Sequence, residues 1–193
     1  MARLYDKYHS KMKKVADINH AIAVLSWDKE VNLPKDGAMF RSQQVATLAG
    51  LSHMEFTDKD FGAMLNRLID MPSLSPGEKK NVSVTLDQYK KSTKFSEAFV
   101  IRKSEIESAG YHAWLKAREA NDYSVFKDAL ADLIELKKEE AEKLRYEEHP
   151  YDALLDQYEP GLTVSQLDPI FEGVKKDLRK LIKKIKKSKQ VNN

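Results

Sequence analysis

The feature that most constrains this chain is a stripe. From Leu4 the apolar positions fall at Leu4, Tyr8, Val15, Ile18, Ile22 and Leu25, a four-three spacing interrupted only by Lys11. At 3.6 residues per turn this draws one seam along a helix about 30 Å long. A second four-three seam, Leu167, Phe171, Val174, Leu178, Ile182 and Ile185, lies near the other end of the sequence. A helix with such a stripe must bury it on another helix, so the expectation is an all-α array of about six to seven helices in long antiparallel packing. Breakers are few, seven glycines and six prolines in 193 residues. A chain of this size can bury roughly 70% of its unfolded surface, so it needs no covalent staple. It has none to offer, because it contains no cysteine, which also excludes a thiolate metal site, an iron–sulfur cluster and a cysteine nucleophile.

The first helix should break near Pro34 to Gly37, and a second, from Ala38 to His53, would turn Val45, Leu48 and Leu51 inward. Thr57 can cap a third, where Phe61, Met64, Leu65, Leu68 and Ile69 repeat at helical spacing up to Met71-Pro72. Ser75-Pro76-Gly77-Glu78 is the sharpest start signal: a capping serine, proline at the first helical position and a reciprocal glutamate. Two long helices follow, about Ser96 to Ala120 and Tyr123 to Glu147, joined at Asn121-Asp122, the second with Phe126, Leu130, Leu133, Ile134, Ala141 and Leu144 on one face. Between Pro150 and Pro160-Gly161 there is room for two turns of helix at most. The last helix has two possible starts, a capping box from Thr163 to Gln166 or Asp168 capping with Pro169 at the first position.

Chemistry-bearing motifs are sparse. The five histidines, His9, His20, His53, His112 and His149, stand far apart, and there is no HExxH, no glycine-rich phosphate loop, no GxSxG and no GxGxxG. Trp27-Asp28-Lys29-Glu30 puts an indole beside two carboxylates, where packing of the tryptophan under the seam is the commoner arrangement. His149, Asp152, Asp156 and Glu159 offer one imidazole and three acids, which serve a divalent cation less readily than they cap turns. Lys175, Lys176, Arg179, Lys180, Lys183, Lys184, Lys186, Lys187 and Lys189 make the last helix basic, but without interleaved aromatics this reads as a solvated face and not a specific nucleic-acid site. Net charge is only +3, from 33 basic and 30 acidic residues. Met1 to Lys14 lacks an apolar core of signal-peptide length, and runs such as Ala21 to Leu25 are too short to span a bilayer, so a soluble, cytoplasmic protein with no membrane partner is expected.

Four blocks carry a resemblance. They are Trp27-Asp28-x-Glu30 with Pro34, Gly37-Ala38, Arg41, Gln44 and Ala46 to Leu51; Trp114-x-x-Ala117-Arg118 with Asp122 and Phe126; Tyr151-Asp152-x-Leu154-Leu155-Asp156-x-Tyr158-Glu159-Pro160-Gly161; and Leu167-Asp168 with Phe171. In order and spacing they resemble the N-terminal portion of the carboxypeptidase Taq (thermostable carboxypeptidase) family of zinc metallocarboxypeptidases. The family-motif positions are thus Trp27, Asp28, Glu30, Arg41, Gln44, Trp114, Arg118, Tyr151, Asp152, Asp156 and Glu159. Lys29, Val31 and Leu33 stand where the family commonly has other residues.

The resemblance implies a helical wall and roof over a peptide-binding cleft, a homodimer, and zinc in the full-length enzyme. The HExxH helix, the downstream glutamate ligand and the arginine motif for the substrate carboxylate have no counterpart here, so no catalytic and no metal residue carries over. Residues 1–193 are accordingly expected to be a single helical N-terminal region without zinc and without peptidase activity of its own. A free-standing helical module, its basic last helix docking on nucleic acid or an acidic protein, is the alternative.

Overall fold

In the computed structural model, residues 3–188 are described, and the helices among them are α1 (Leu4–Val31), α2 (Ala38–Phe56), α3 (Lys59–Ile69), α4 (Pro76–Ser92), α5 (Glu97–Ala120), α6 (Ser124–Leu144), α7 (Pro150–Leu155) and α8 (Val164–Lys187). One 3-10 turn, Lys35–Gly37, stands between α1 and α2. No strand occurs among the described residues, as the scarcity of breakers and the helical spacing predicted. The chain divides into two compact units, one up to Leu136 and one from Lys137 onward.

The first unit is built around α1. Its seam buries Tyr8 and Val15 and half-buries Ile18, Ile22 and Leu25. The core it enters gathers Tyr8, Phe61, Leu65, Leu68, Val82 and Leu86 from α1, α3 and α4. Tyr8 stacks 6.3 Å from Phe61, and its hydroxyl meets Thr85 Oγ1 at 2.9 Å, which satisfies a polar group that burial would otherwise penalise. Burial pushes the Tyr8 phenol above its ordinary range. The Lys11 that interrupts the seam is paired: its Nζ donates to Glu55 Oε1 at 2.5 Å, with Lys14 on the other oxygen at 2.7 Å. Chain direction follows from such pairs. Lys11 meets Glu55 and Asp28 meets Arg41, so α1 and α2 are antiparallel, whereas Arg3 with Glu78, Tyr5 with Asn81 and Tyr8 with Thr85 run α1 and α4 parallel.

Close approach is paid for in small residues. The buried face of α2 is Ala46, Gly50 and Ser52, not the Val45, Leu48 and Leu51 that the apolar spacing suggested; Val45 and Leu48 are half-buried and Leu51 is exposed. Between α1 and α5, α2 packs closely at Gly50, where a Cβ would sit 3.1 Å from the Ile101 side chain and push it aside by a few tenths of an ångström. At Gly62 a Cβ would clash with the Tyr89 ring at 2.3 Å, so α3 and α4 pack backbone against ring.

Ser75 caps α4 as the sequence indicates: its Oγ accepts from Glu78 N at 3.3 Å, while Ser75 N donates to Glu78 Oε2 at 2.9 Å. Ser96 caps α5, and Asn121, in the left-handed region at φ 49°, ends it. Three expectations are corrected. Thr57 closes α2, its hydroxyl donating to His53 O at 2.7 Å, and the cap of α3 is Asp58, which accepts from Phe61 N. The helix α6 stops at Leu144 because Arg145 turns left-handed at φ 63°, three residues before Glu147. On α6, Ile134 is exposed and Leu136 takes the buried position.

In the second unit Thr163 starts α8 with Gln166 as its reciprocal partner, which leaves Pro169 inside the helix. Proline there has no N–H for the Ser165 carbonyl. No residue of α8 is buried.

Candidate functional site

The family-like residues of the first unit meet at the junction of α1 and α2. Arg41 Nη1 donates to Asp28 Oδ2 at 2.5 Å and to Leu25 O at 3.0 Å, and its Nε donates to Gln44 Oε1 at 3.1 Å. One guanidinium thus ties the last turns of α1 to the first of α2, using the fork geometry that lysine lacks. The Arg41 hydrogen bond, seconded by Asn32, holds the Asp28 carboxyl below its ordinary range. This is a clamp, with the Arg41 side chain only 15% exposed and its Asp28 and Gln44 partners still open to solvent.

Trp27 is not part of it. Expected under the seam, it is instead 59% exposed, because it falls with Val24 and Val31 on a second stripe of α1 where both valines are equally open. Glu30 is exposed as well. On α5 the Arg118 guanidinium lies over Trp114, 5.6 Å from the ring centre, and Tyr111 is 6.0 Å from the same ring.

Beside the clamp a cavity of about 780 Å³ opens between the end of α1, the start of α2 and one face of α5. Leu33, Met39 and Leu115 give it an apolar lining, and Lys29, Glu105, Lys116 and Glu119 charge it. His112 also lines it, and its Nε2 is shut from water with no hydrogen-bond partner among the described residues. Burial, with Lys29 and Lys116 adding to it, pushes the imidazole below its ordinary pKa. Sequence reading missed this place: Pro34 and Ala38 stand in a family-like block, but most of the lining belongs to no motif and comes from segments some eighty positions apart. The i, i+4, i+7, i+11 run of Glu105, Ala109, His112 and Lys116 was the one available signal.

In the second unit Asp152 and Asp156 of the Tyr151 to Gly161 block serve backbone N–H groups. Asp152 Oδ1 accepts from Val164 N at 2.7 Å and its Oδ2 from His149 N at 3.3 Å, which fastens α7 to the first turn of α8. Asp156 Oδ1 accepts from Gly161 N at 3.0 Å, and His149 Nδ1 caps α7 by accepting from Tyr151 N. Tyr151 and Glu159 face solvent. The capping alternative is therefore what these acids do, and among the described residues no three His, Asp or Glu side chains gather as a metal site. On α8, Lys175 pairs with Glu172 at 2.6 Å and Lys180 with Asp177 at 3.2 Å, in solvent; Lys189 lies outside the described residues.

Comparison with known proteins matches residues 7–193 to the profile of the carboxypeptidase Taq (M32) metallopeptidases. Thermostable carboxypeptidase 1 of Pyrococcus furiosus is 36% identical over 176 residues, 91% of this chain and 35% of its own length. Carboxypeptidase 1 of Bacillus subtilis is 32% identical over 192 residues, 94% of this chain and 36% of its own. The BsuCP crystal structure superposes with a TM-score of 0.92 over 96% of this chain and 37% of its own, at 30% identity. The Pyrococcus furiosus carboxypeptidase structure gives 0.79 over 97% and 38%, at 34% identity. The chain spans little more than a third of the relatives it matches.

Proposed function

Because the chain belongs to the carboxypeptidase Taq (M32) metallopeptidase family, we propose that it supplies the N-terminal helical region of a metallocarboxypeptidase that removes residues from the C-terminal ends of peptides. Hydrolysis then needs the HExxH-bearing region, which this sequence does not contain. The observation that carries the reading is the family match through residue 193, α8 included, together with a fold superposition at a TM-score of 0.92. A match that includes the basic helix disfavours a free-standing module.

Within this reading the eleven family-motif positions are structural. Asp28, Arg41 and Gln44 fix α2 on α1, Asp152 fixes α8 on α7, Asp156 holds Gly161 in the turn between them, and the exposed Trp27, Glu30, Tyr151 and Glu159 face outward for the catalytic region to meet. Zinc is the metal the reading implies, and this chain's own residues do not fit it, since its histidines are dispersed and its clustered acids are spent on backbone N–H groups. No described helix is long and apolar enough to cross a membrane, and the cytoplasm is the setting we assign.

A homodimer is the assembly we assign. Ile170, Phe171, Val174, Leu178, Leu181, Ile182 and Ile185 are each about half exposed along α8. At about 90 Å² apiece, two copies would remove roughly 1,200 Å² from water, the lower end of a specific interface. By helical spacing Lys176, Lys180, Lys183 and Lys187 lie on the opposite face, out of that contact.

The test is a chimera in which residues 7–193 replace the matching segment of Bacillus subtilis carboxypeptidase 1. Release of C-terminal residues from an unblocked peptide, within tenfold of the parent, is expected, and the 193-residue chain alone should release none. A chimera that folds, binds metal as the parent does and is inactive would overturn the reading.

A further inference from the structure

The helix α8 keeps two things bare at once, an apolar stripe and a surplus of positive charge. None of its 24 residues is buried, and eight of them are lysine or arginine against three acids. At 3.6 residues per turn the apolar positions from Ile170 to Ile185 fill an arc of about 120°, and every cation lies outside it. Lys175 and Lys186 border the arc on one side and Lys184 on the other. Lys175 and Lys180 pair in solvent with Glu172 at 2.6 Å and Asp177 at 3.2 Å, and the other six cations have no ion pair among the described residues.

Partners differ in how much of this they answer. A second copy covers the stripe but brings no counter-charge, since it sets one basic helix beside another. Nucleic acid answers the cations and leaves the stripe in water. An anionic bilayer answers both: the stripe sinks to the acyl boundary, and the bordering lysines lay their stems along it while their ammonium groups reach the lipid phosphates. The expectation of a solvated face, with no membrane partner, treated the cations apart from the stripe and considered only spanning; a helix lying in the surface needs no long apolar run.

We infer that α8 docks in the plane of an anionic lipid surface, its stripe from Ile170 to Ile185 in the acyl boundary and Lys175, Lys184 and Lys186 on the headgroups. The bilayer and the second copy take the same stripe, so the chain is a dimer in solution and a monomer on lipid. Docking depends on α8 alone and holds whether or not the chimera above is active.

The probes are vesicles of phosphatidylcholine alone and of phosphatidylcholine with about a third phosphatidylglycerol, and flotation of the 193-residue chain is the readout. Partition onto the anionic vesicles should be at least tenfold stronger than onto the neutral ones, should weaken as salt rises, and should leave a chain that crosslinks as a monomer. Leu178→Lys with Ile182→Lys adds two cations while breaking the stripe. It should lose at least tenfold in partition, whereas attraction by charge alone would make it bind more tightly. Lys184→Gln with Lys186→Gln should cut the preference for anionic vesicles several-fold and leave sedimentation in buffer unchanged. All four positions are exposed, and the melting of the first unit verifies both variants. Equal partition onto neutral vesicles, undiminished partition of the stripe variant, a crosslinked dimer on the vesicles, or retention on duplex DNA without flotation would each overturn the docking.

Discussion

Helices α1 and α8 carry the same four-three stripe and meet opposite fates. In α1 the stripe is covered: Tyr8 and Val15 are 5% and 6% exposed, and even the interrupting Lys11 has a carboxylate waiting on α2. In α8 the same spacing leaves Leu178 and Ile182 at 49% and Ile185 at 60% exposure. A stripe therefore states a demand for a partner, and only the rest of the fold says whether the demand is met. It follows that α1 contributes to the stability of its unit, whereas α8 contributes to what the chain can associate with.

The largest effect that would break this contrast is a charge in each seam. Val15→Lys should cost more than ~3 kcal/mol or unfold the first unit, since a lone ammonium would be buried. Leu178→Lys should leave the first unit within ~0.5 kcal/mol. Urea denaturation compares them, and equal losses would mean that α8 is as well packed as α1. Next comes association. The wild type should sediment as a dimer or larger at micromolar concentration; Leu178→Lys with Ile182→Lys should give a monomer whose first unit melts unchanged, while Ile18→Lys with Ile22→Lys should melt lower or not fold. A wild-type monomer would leave the α8 stripe without a second copy.

A smaller effect separates the two ends of α8. Asp152→Ala removes the acceptor for Val164 N and should cost about 1 kcal/mol, with faster amide exchange confined to the first turn. The smallest is a pH effect on α1. Lys11, and then Lys14, hold the Glu55 carboxyl below its ordinary range. A depressed folded pKa contributes stability above the unfolded value that is lost as pH falls through the folded one, so the first unit should weaken on the acid side of the carboxylate range. Lys11→Met should flatten that limb by less than about 1 kcal/mol, the pair being partly exposed. Acid melts read both proteins.

What could be read in advance was whatever is settled within one turn. Ser75, Pro76 and Glu78 carry their own partners, and α4 starts where they say. Asn121 marks a joint because a short polar side chain tolerates the left-handed region. Thr57 misled because Asp58 beside it caps better and the threonine hydroxyl serves the preceding helix equally well. Leu51 misled for another reason: apolar spacing ranks faces by hydrophobicity, whereas α2 turns its small residues inward so that two helix backbones can approach. The clamp around Arg41 was visible as residue types but not as a contact, because it joins positions sixteen apart across a turn. The His112 groove was invisible, since it exists only once α5 lies across α1 and α2.

Pro169 divides α8 into a first turn that Asp152, Thr163 and Gln166 hold and a remainder with no buried residue and a lysine or arginine in nearly every turn. Proteases that cut after basic residues need the chain to unwind locally, and the segment beyond the proline offers the least resistance in the chain. Limited trypsin digestion of the Leu178→Lys, Ile182→Lys monomer should therefore trim it from Lys187 back to Lys175, the first basic residue after Arg145, while leaving the whole of α1 uncut, so that association is what shields this arm in the wild type.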